Sequence, residues 1–458
     1  MKRIGILTAG GDTPALNATL YGAVTRACQL RIEVVGLIKG FSSLLHDHVP
    51  HVQLNPLFLP IPELDPTRGG TILGASRDYV DHEDTATLAK IQKRLEKLGI
   101  EGLVCVGGDG TLNGMQALAT FLPTVLAPKT IDNDLGLNYA NEPDEWIQTS
   151  APGVEPIYEH RRVPYPRFLF EEMVNYVTPG YATAVAVVAE GVQRIRTTAE
   201  SHRRIAIVEV MGRHSGYIAL GSAYGQPDLL LIPESPIDID RVVERTKEIY
   251  ELQKNVVIVC AEGVVDKNHR PLGASEESFD PAGNVVLSGA GENLRKMLID
   301  RMADDYFTSK RRNESAKAAI FTRKVGHTQR GGPPVQFDRF HAAQLGGHAV
   351  DMLQRGQANA VAVLQWKGAD GFRVEDVSAN AFRDRYGQIH AREVLPAFYD
   401  AERLRLSPLG VDYLVPIFSN AIAPADLERL RQSLFDSGNL IRPYRSVNTD
   451  IHKRIRTL

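Results

Sequence analysis

The sequence predicts an α/β fold in which parallel sheets are crossed by helices on both faces. Three observations lead there. Short runs rich in Val, Ile and Leu recur along the chain, helical patterns lie between them, and several runs end in glycine-rich loops that open the next helix. Parallel strands need a crossover of a dozen or more residues, usually a helix, before they can pair, so this alternation builds parallel sheets.

The predicted strands are 3–8, 33–37, 102–106, 124–127, 204–210, 228–232, 256–260 and 360–364. The clearest helix is 85–98, where Leu88, Ile91, Leu95 and Leu98 recur on one face and Gly99 can stop the helix before the next strand. Two stretches break the pattern and read as surface insertions. The first, 138–177, holds Pro143, Pro152, Pro156, Pro164, Pro166 and Trp146; the second is 266–291. Beyond about Asp400 the chain reads as a mainly helical extension without a chemical motif.

A chain of 458 residues with 43% hydrophobic content is long enough for two or three domains and can fill a large core. Its 52 basic and 55 acidic residues are evenly spread, leaving a net charge of −3 and no footprint for nucleic acid or an anionic membrane. Small-molecule chemistry is the expectation. No apolar run approaches a membrane span, and Met1-Lys2-Arg3 leads straight into the first strand, so a cytoplasmic location is expected. Cys28, Cys105 and Cys260 sit in apolar surroundings without metal-ligand spacing and read as reduced core residues.

Three strand ends carry chemistry. The first strand runs into Gly10-Gly11-Asp12-Thr13-Pro14. Glycines there let the backbone approach an anion, and the following helix N-terminus offers unpaired N–H groups; a tight turn would have the same composition. The strand 102–106 ends in Gly107-Gly108-Asp109-Gly110-Thr111. A carboxylate among phosphate-cradling amides suits Mg²⁺, although an Asp capping its helix would look alike. No GxxxxGK[ST] sequence is present, so neither loop is the usual P-loop. The third strand ends in Pro128-Lys129-Thr130-Ile131-Asp132-Asn133-Asp134. In an extended segment Asp132 and Asp134 face one side, where one can accept a hydroxyl proton and the other help hold a metal. A solvated Asp/Asn turn is the competing reading.

These segments, with GGTILGASR at 69–77, SHRRIAIVEVMGRHSG at 201–216 and GHTQRGG at 326–332, resemble the phosphofructokinase family over about residues 1 to 360, insertions excluded. The resemblance implies two Rossmann-like domains. A donor-binding domain takes 1–137 with 338–400 returning to it, a sugar-phosphate domain takes 178–337, the Pro-rich insertion lies at 138–177 and the C-terminal extension at 400–458. It implies transfer of a phosphoryl group from ATP to the 1-hydroxyl of fructose 6-phosphate, with Mg²⁺ as cofactor. Gly11, Arg77, Gly108, Asp109, Gly110 and Thr111 would contact the donor, with Asp109 and Asp134 toward the metal. Asp132 would be the base, assisted by Lys129 and Arg213. Thr130, Met211, Gly212, Arg213, Glu262, His327 and Arg330 would bind the acceptor. Arg204 matches an arginine lent to a neighbouring subunit's site, which implies a homo-oligomer, a dimer or a tetramer.

Donor choice turns on two positions. The pyrophosphate-using branch usually has Asp where this chain has Gly110, and Gly leaves room for a nucleotide. Lys129 is the residue typical of that same branch, so a pyrophosphate-dependent, reversible phosphotransferase is the alternative expectation. Two departures stand out. Phe321 replaces an arginine expected to bind the sugar's phosphate, with Lys317, Arg323 and Lys324 as candidates to compensate. Tyr21 and Thr25 stand where regulated bacterial-type members carry effector-binding arginines.

Overall fold

The computed structural model describes residues 1–78, 80–150, 156–163, 168–279, 285–287, 289–309 and 315–458. Two parallel sheets organise it. The larger has seven strands in the order Phe372–Ser378, Ala360–Trp366, Thr124–Pro128, Leu103–Gly107, Arg3–Thr8, Glu33–Leu37 and His51–Gln53. Its central strands are parallel, and the strand at each edge pairs antiparallel. The smaller sheet, entirely parallel, runs Ile320–Lys324, Ile205–Val210, Val256–Ala261, Leu229–Leu231.

Alternating side chains show why the larger sheet is covered on both sides. Ile4, Ile6, Val104, Val106 and Val125 enter one core, while Leu7, Leu103, Cys105, Leu126 and Val363 enter the other. Helix Leu16–Gln29 covers the first face together with Gln336–Gln354, and Arg26 joins Asp351 across them at 2.7 Å. Helix Thr85–Lys97 covers the second, burying Ile91 and Leu95. Asp84 caps it by accepting the Thr87 N–H at 2.9 Å. The helix Gln336–Gln354 starts beside the smaller sheet, where Asp338 accepts both the N–H and the hydroxyl of Thr183, and carries the chain back to the larger one.

The stretch 138–177 is less superficial than its prolines suggest. Asn138, Tyr139, Glu142, Pro143, Met173 and Tyr176 are buried, because this segment packs against the late part of the chain. Trp146 stacks between the rings of His160 and His390, and His160 bridges the Glu145 and Glu393 carboxylates at 3.1 Å each. Strands Trp146–Gln148 and Tyr158–His160 form a hairpin there. Pro152, Pro164 and Pro166 lie outside the described residues. The second expected insertion holds the antiparallel strands Ala274–Phe279 and Val285–Leu287, and residues 280–284 and 288 lie outside the description.

Beyond Asp400 the chain forms helices Pro408–Phe418, Pro424–Leu434 and Val447–His452. The three cysteines are free thiols; Cys105 and Cys260 are buried and Cys28 is half-buried. Among the described residues no helix is long and apolar enough to cross a membrane.

Candidate active site

A cleft of about 1140 Å³ opens where the carboxyl ends of both sheets meet, the place where ligands bind in open parallel sheets. From the larger sheet, Gly11, Gly108, Asp109, Gly110, Thr111, Lys129, Thr130, Asp132 and Asp134 line it, joined by Arg77 from the loop after 69. From the smaller sheet come Met211, Arg213, Glu262, His327 and Arg330. The three glycine- or aspartate-bearing strand ends therefore share one cleft with the two motifs of the smaller sheet.

Close backbone approach explains the first loop. Gly10 has φ +77°, a conformation that suits glycine, and a Cβ on Gly11 would stand 2.7 Å from Arg330 Nη1. Arg330 thus reaches across from the smaller sheet to the Asp12 carbonyl, at 3.4 Å. The Gly326–Arg330 turn is fixed to the neighbouring loop by Gln329, which accepts the Met211 N–H at 3.4 Å and donates to the Gly326 carbonyl at 2.9 Å. Gly212 lies outside the cleft lining and serves the turn instead: its φ is +130°, and a Cβ would meet the Ser215 carbonyl oxygen at 2.6 Å.

The third loop departs from the extended form expected of it. Asn133 has φ +57°, so the chain turns left-handed between Asp132 and Asp134, and both carboxylates reach the cleft by that turn rather than by strand alternation. The Thr130 hydroxyl accepts the Asp132 N–H at 3.1 Å, and Ser215 Oγ reaches the Asp132 carbonyl at 3.4 Å.

Burial and crowded charge tune the titrating groups. Burial first, then the neighbouring Asp134 charge, push the Asp132 carboxyl up to about 7, with Arg330 and Arg213 opposing. Asp109 is raised for the same two reasons, against the nearby Arg392 charge. Burial, with the Arg330 charge behind it, pulls the Lys129 ammonium down to about 7. Glu262 is raised by burial while Lys324 opposes it.

The cleft also holds unmet polar demand. Thr13 Oγ1, Ser76 Oγ, Asp109 Oδ1 and Thr111 Oγ1 all line it and are buried without a hydrogen-bond partner among the described residues. Buried polar atoms in native proteins are nearly always satisfied, so such a cluster marks where a polar ligand fits. The orphaned Asp109 oxygen beside the Asp134 charge suits a hard cation, and Mg²⁺ uses one or two carboxylates together with phosphate oxygens. Among the described residues no group of three or more His, Cys, Asp or Glu side chains is set to hold a metal.

Some lining residues were not singled out from sequence. Ser76, His214 and Ser215 lie inside quoted motifs and could have been read from them. Phe41 and Ala391 carry no local signal and arrive through tertiary folding. Among the three cations weighed against Phe321, only Lys324 lines the cleft, where it pairs with the buried Glu209 at 3.0 Å. Arg323 lies over the Phe321 ring at 5.7 Å, and Lys317 sits on the helix Ala316–Ala319. Arg204 stands at the far end of the strand Ile205–Val210, about 20 Å of extended chain from Met211. It does not line this chain's own cleft.

The model of the family described as "Phosphofructokinase" matches residues 3–139 and 173–353, breaking across the stretch that packs on the late part of the chain. A "Pyrophosphate--fructose 6-phosphate 1-phosphotransferase" of Streptomyces coelicolor is 32% identical over 402 residues, covering 87% of this chain and 98% of that protein. An "ATP-dependent 6-phosphofructokinase 3" of the same organism is 33% identical over 373 residues, covering 79% and 91%. Among solved structures, a pyrophosphate-dependent phosphofructokinase from Nitrosospira multiformis matches with a TM-score of 0.68 at 14% identity, covering 92% of each chain, and so speaks for the fold. With the motifs lining one cleft and a family match across most of the chain, this protein is an enzyme of the phosphofructokinase family.

Proposed function

We propose that this chain is a cytoplasmic kinase that transfers the terminal phosphoryl group of ATP to the 1-hydroxyl of fructose 6-phosphate, giving fructose 1,6-bisphosphate and ADP. The observation that carries the proposal is the convergence of Asp109, Asp132, Asp134 and Lys129 with Met211, Arg213, Glu262 and His327 on one cleft. Asp132 takes the proton as the hydroxyl oxygen bonds to phosphorus and the bond to the leaving diphosphate breaks. Lys129 and Arg213 face the charge that develops on the transferring group. Asp109 and Asp134 would hold Mg²⁺, which when bound neutralises the donor's phosphate oxygens. Lys324 takes the place of the absent arginine at Phe321 as the cation for the sugar's phosphate.

Gly110 supports ATP as the donor. A Cβ built on it meets nothing within 4 Å, so the space where the pyrophosphate branch carries a carboxylate is open. Lys129 favours the second reading, reversible transfer from pyrophosphate, and the relatives carry both names. Arg204, remote from its own cleft, is proposed to complete the site of a neighbouring copy in a dimer or tetramer. Assaying the purified protein with fructose 6-phosphate and either ATP or pyrophosphate decides between donors; turnover with pyrophosphate alone removes the ATP reading. Asp132→Ser should lower turnover by roughly 100-fold or more with acceptor affinity nearly unchanged. Near-normal turnover in that variant removes Asp132 as the base.

A further inference from the structure

We infer that Arg392, from a segment outside every motif, is a positioning residue that holds the left-handed turn at Asn133 and so sets Asp132 and Asp134 toward the cleft. The inference rests on the reading of Asp132 as the base. A non-glycine residue at positive φ carries a conformational cost, and it persists where its surroundings over-determine it. Asn133, with φ +57°, is held from three sides. Its Oδ1 accepts the Thr178 N–H at 2.9 Å, its Nδ2 donates to the Tyr413 hydroxyl at 2.7 Å, and its carbonyl receives Arg392 Nη2 at 2.7 Å and Nε at 3.2 Å.

The same arginine binds the turn again through its main chain. The Arg392 N–H donates to the Asp134 carbonyl at 2.7 Å, and Nη1 donates to the Asn175 carbonyl, also at 2.7 Å. Neighbouring residues extend this clasp to the other half of the cleft. One Glu234 oxygen accepts the Val394 N–H and the Gly216 N–H, each at 2.8 Å, and Gly216 follows directly on the Arg213–Ser215 loop. The segment 392–394 therefore ties the aspartate turn of the larger sheet to the acceptor loop of the smaller one.

The choice of arginine is informative. Arg392 is 2% exposed, and its guanidinium donates to the main-chain carbonyls of Asn133, Asn175 and Tyr176. The Tyr217 ring lies 4.9 Å from it. Burying a charge without a bonded carboxylate is costly, and a neutral amide could cap the same carbonyls at less cost. What the cation adds is positive charge acting on the Asp134 and Asp109 carboxylates from behind the turn.

The test compares Arg392→Met, Arg392→Lys, Tyr413→Phe and Asp132→Asn in the full-length enzyme. Misplacing a base by an ångström costs turnover more than binding, so Arg392→Met should lower kcat roughly 100-fold. KM for both substrates should stay within about threefold. Arg392→Lys, which keeps the charge and loses the fork, should recover part of that kcat. Tyr413→Phe removes one hydroxyl from the clasp and should lower kcat roughly tenfold with KM unchanged; it decides the matter should Arg392→Met fail to fold. Wild-type kcat in Arg392→Met or, failing that, in Tyr413→Phe, with Asp132→Asn inactive, overturns the inference and leaves the base in place. So does a loss in Arg392→Met that falls on KM alone. Near-normal turnover in Asp132→Asn removes the base reading and this inference with it.

Discussion

Lys129 donates its ammonium to the carbonyl of Gly11, joining the ends of two strands that are not neighbours in the sheet. The strand that separates them, Leu103–Gly107, leads through Gly108 into the helix that Asp109 opens, so the lysine bridges across the strand end proposed to bind the donor. A lysine 3% exposed and spending a hydrogen bond on one carbonyl has two further donors to aim at a ligand.

Replacing it with methionine keeps the volume and deletes the charge. Lys129→Met should lower kcat roughly 100-fold, the usual effect of removing one group that stabilises developing transition-state charge. Steady-state kinetics at saturating donor and acceptor measure this. A change confined to KM would show that Lys129 binds ground and transition states alike.

Gly110 offers a test of donor choice that leaves the catalytic groups untouched. The position is exposed and a side chain there would enter open space, so Gly110→Asp should fold normally. Its carboxylate would project into the donor side of the cleft and repel a nucleotide's phosphate chain. The ratio of kcat/KM for ATP to that for pyrophosphate should fall at least tenfold, about 1.4 kcal/mol of differential binding. An unchanged ratio would show that another position selects the donor.

How much of this was legible in sequence follows from where each signal resides. Gly10-Gly11, Gly107-Gly108-Asp109 and Lys129 to Asp134 announce themselves locally, because glycines, carboxylates and a lysine sit in adjacent positions at strand ends. Strand Ile320–Lys324 was missed, since it is a sheet edge where Ile320 alone is buried and the rest shows no apolar run. Strand Phe372–Ser378 was missed for the same reason, with its half-buried and exposed residues mixed along the other edge. Asp132 and Asp134 were expected to share a side by strand alternation, but it is the left-handed Asn133 between them that brings both to the cleft. Arg392 and Tyr413 meet that turn from 259 and 280 residues away, and no local pattern can announce such a contact.

Acid should destabilise the fold through His341. This residue lies within the helix Gln336–Gln354 that joins the two halves, with the rings of Phe337, Phe340 and Phe372 around it and Gln344 Oε1 at 3.1 Å. Burial pulls its pKa from the ordinary 6.5 down to about 4. The unfolded chain therefore takes up a proton below pH 6.5 that the folded chain refuses until about pH 4. The stability tied to the neutral ring is whole above pH 6.5, drains as the pH falls across that window, and is gone below it. A gap of this size corresponds to about 2–4 kcal/mol at most, at roughly 1.4 kcal/mol per pH unit. His341→Phe, which keeps an aromatic ring in the same apolar setting, should remove this part of the acid sensitivity. Denaturant midpoints of both proteins between pH 7 and pH 4 measure it: the difference, variant minus wild type, should grow as the pH falls. A difference that stays constant across the window would show that His341 takes up its proton as readily in the folded protein as in the unfolded chain.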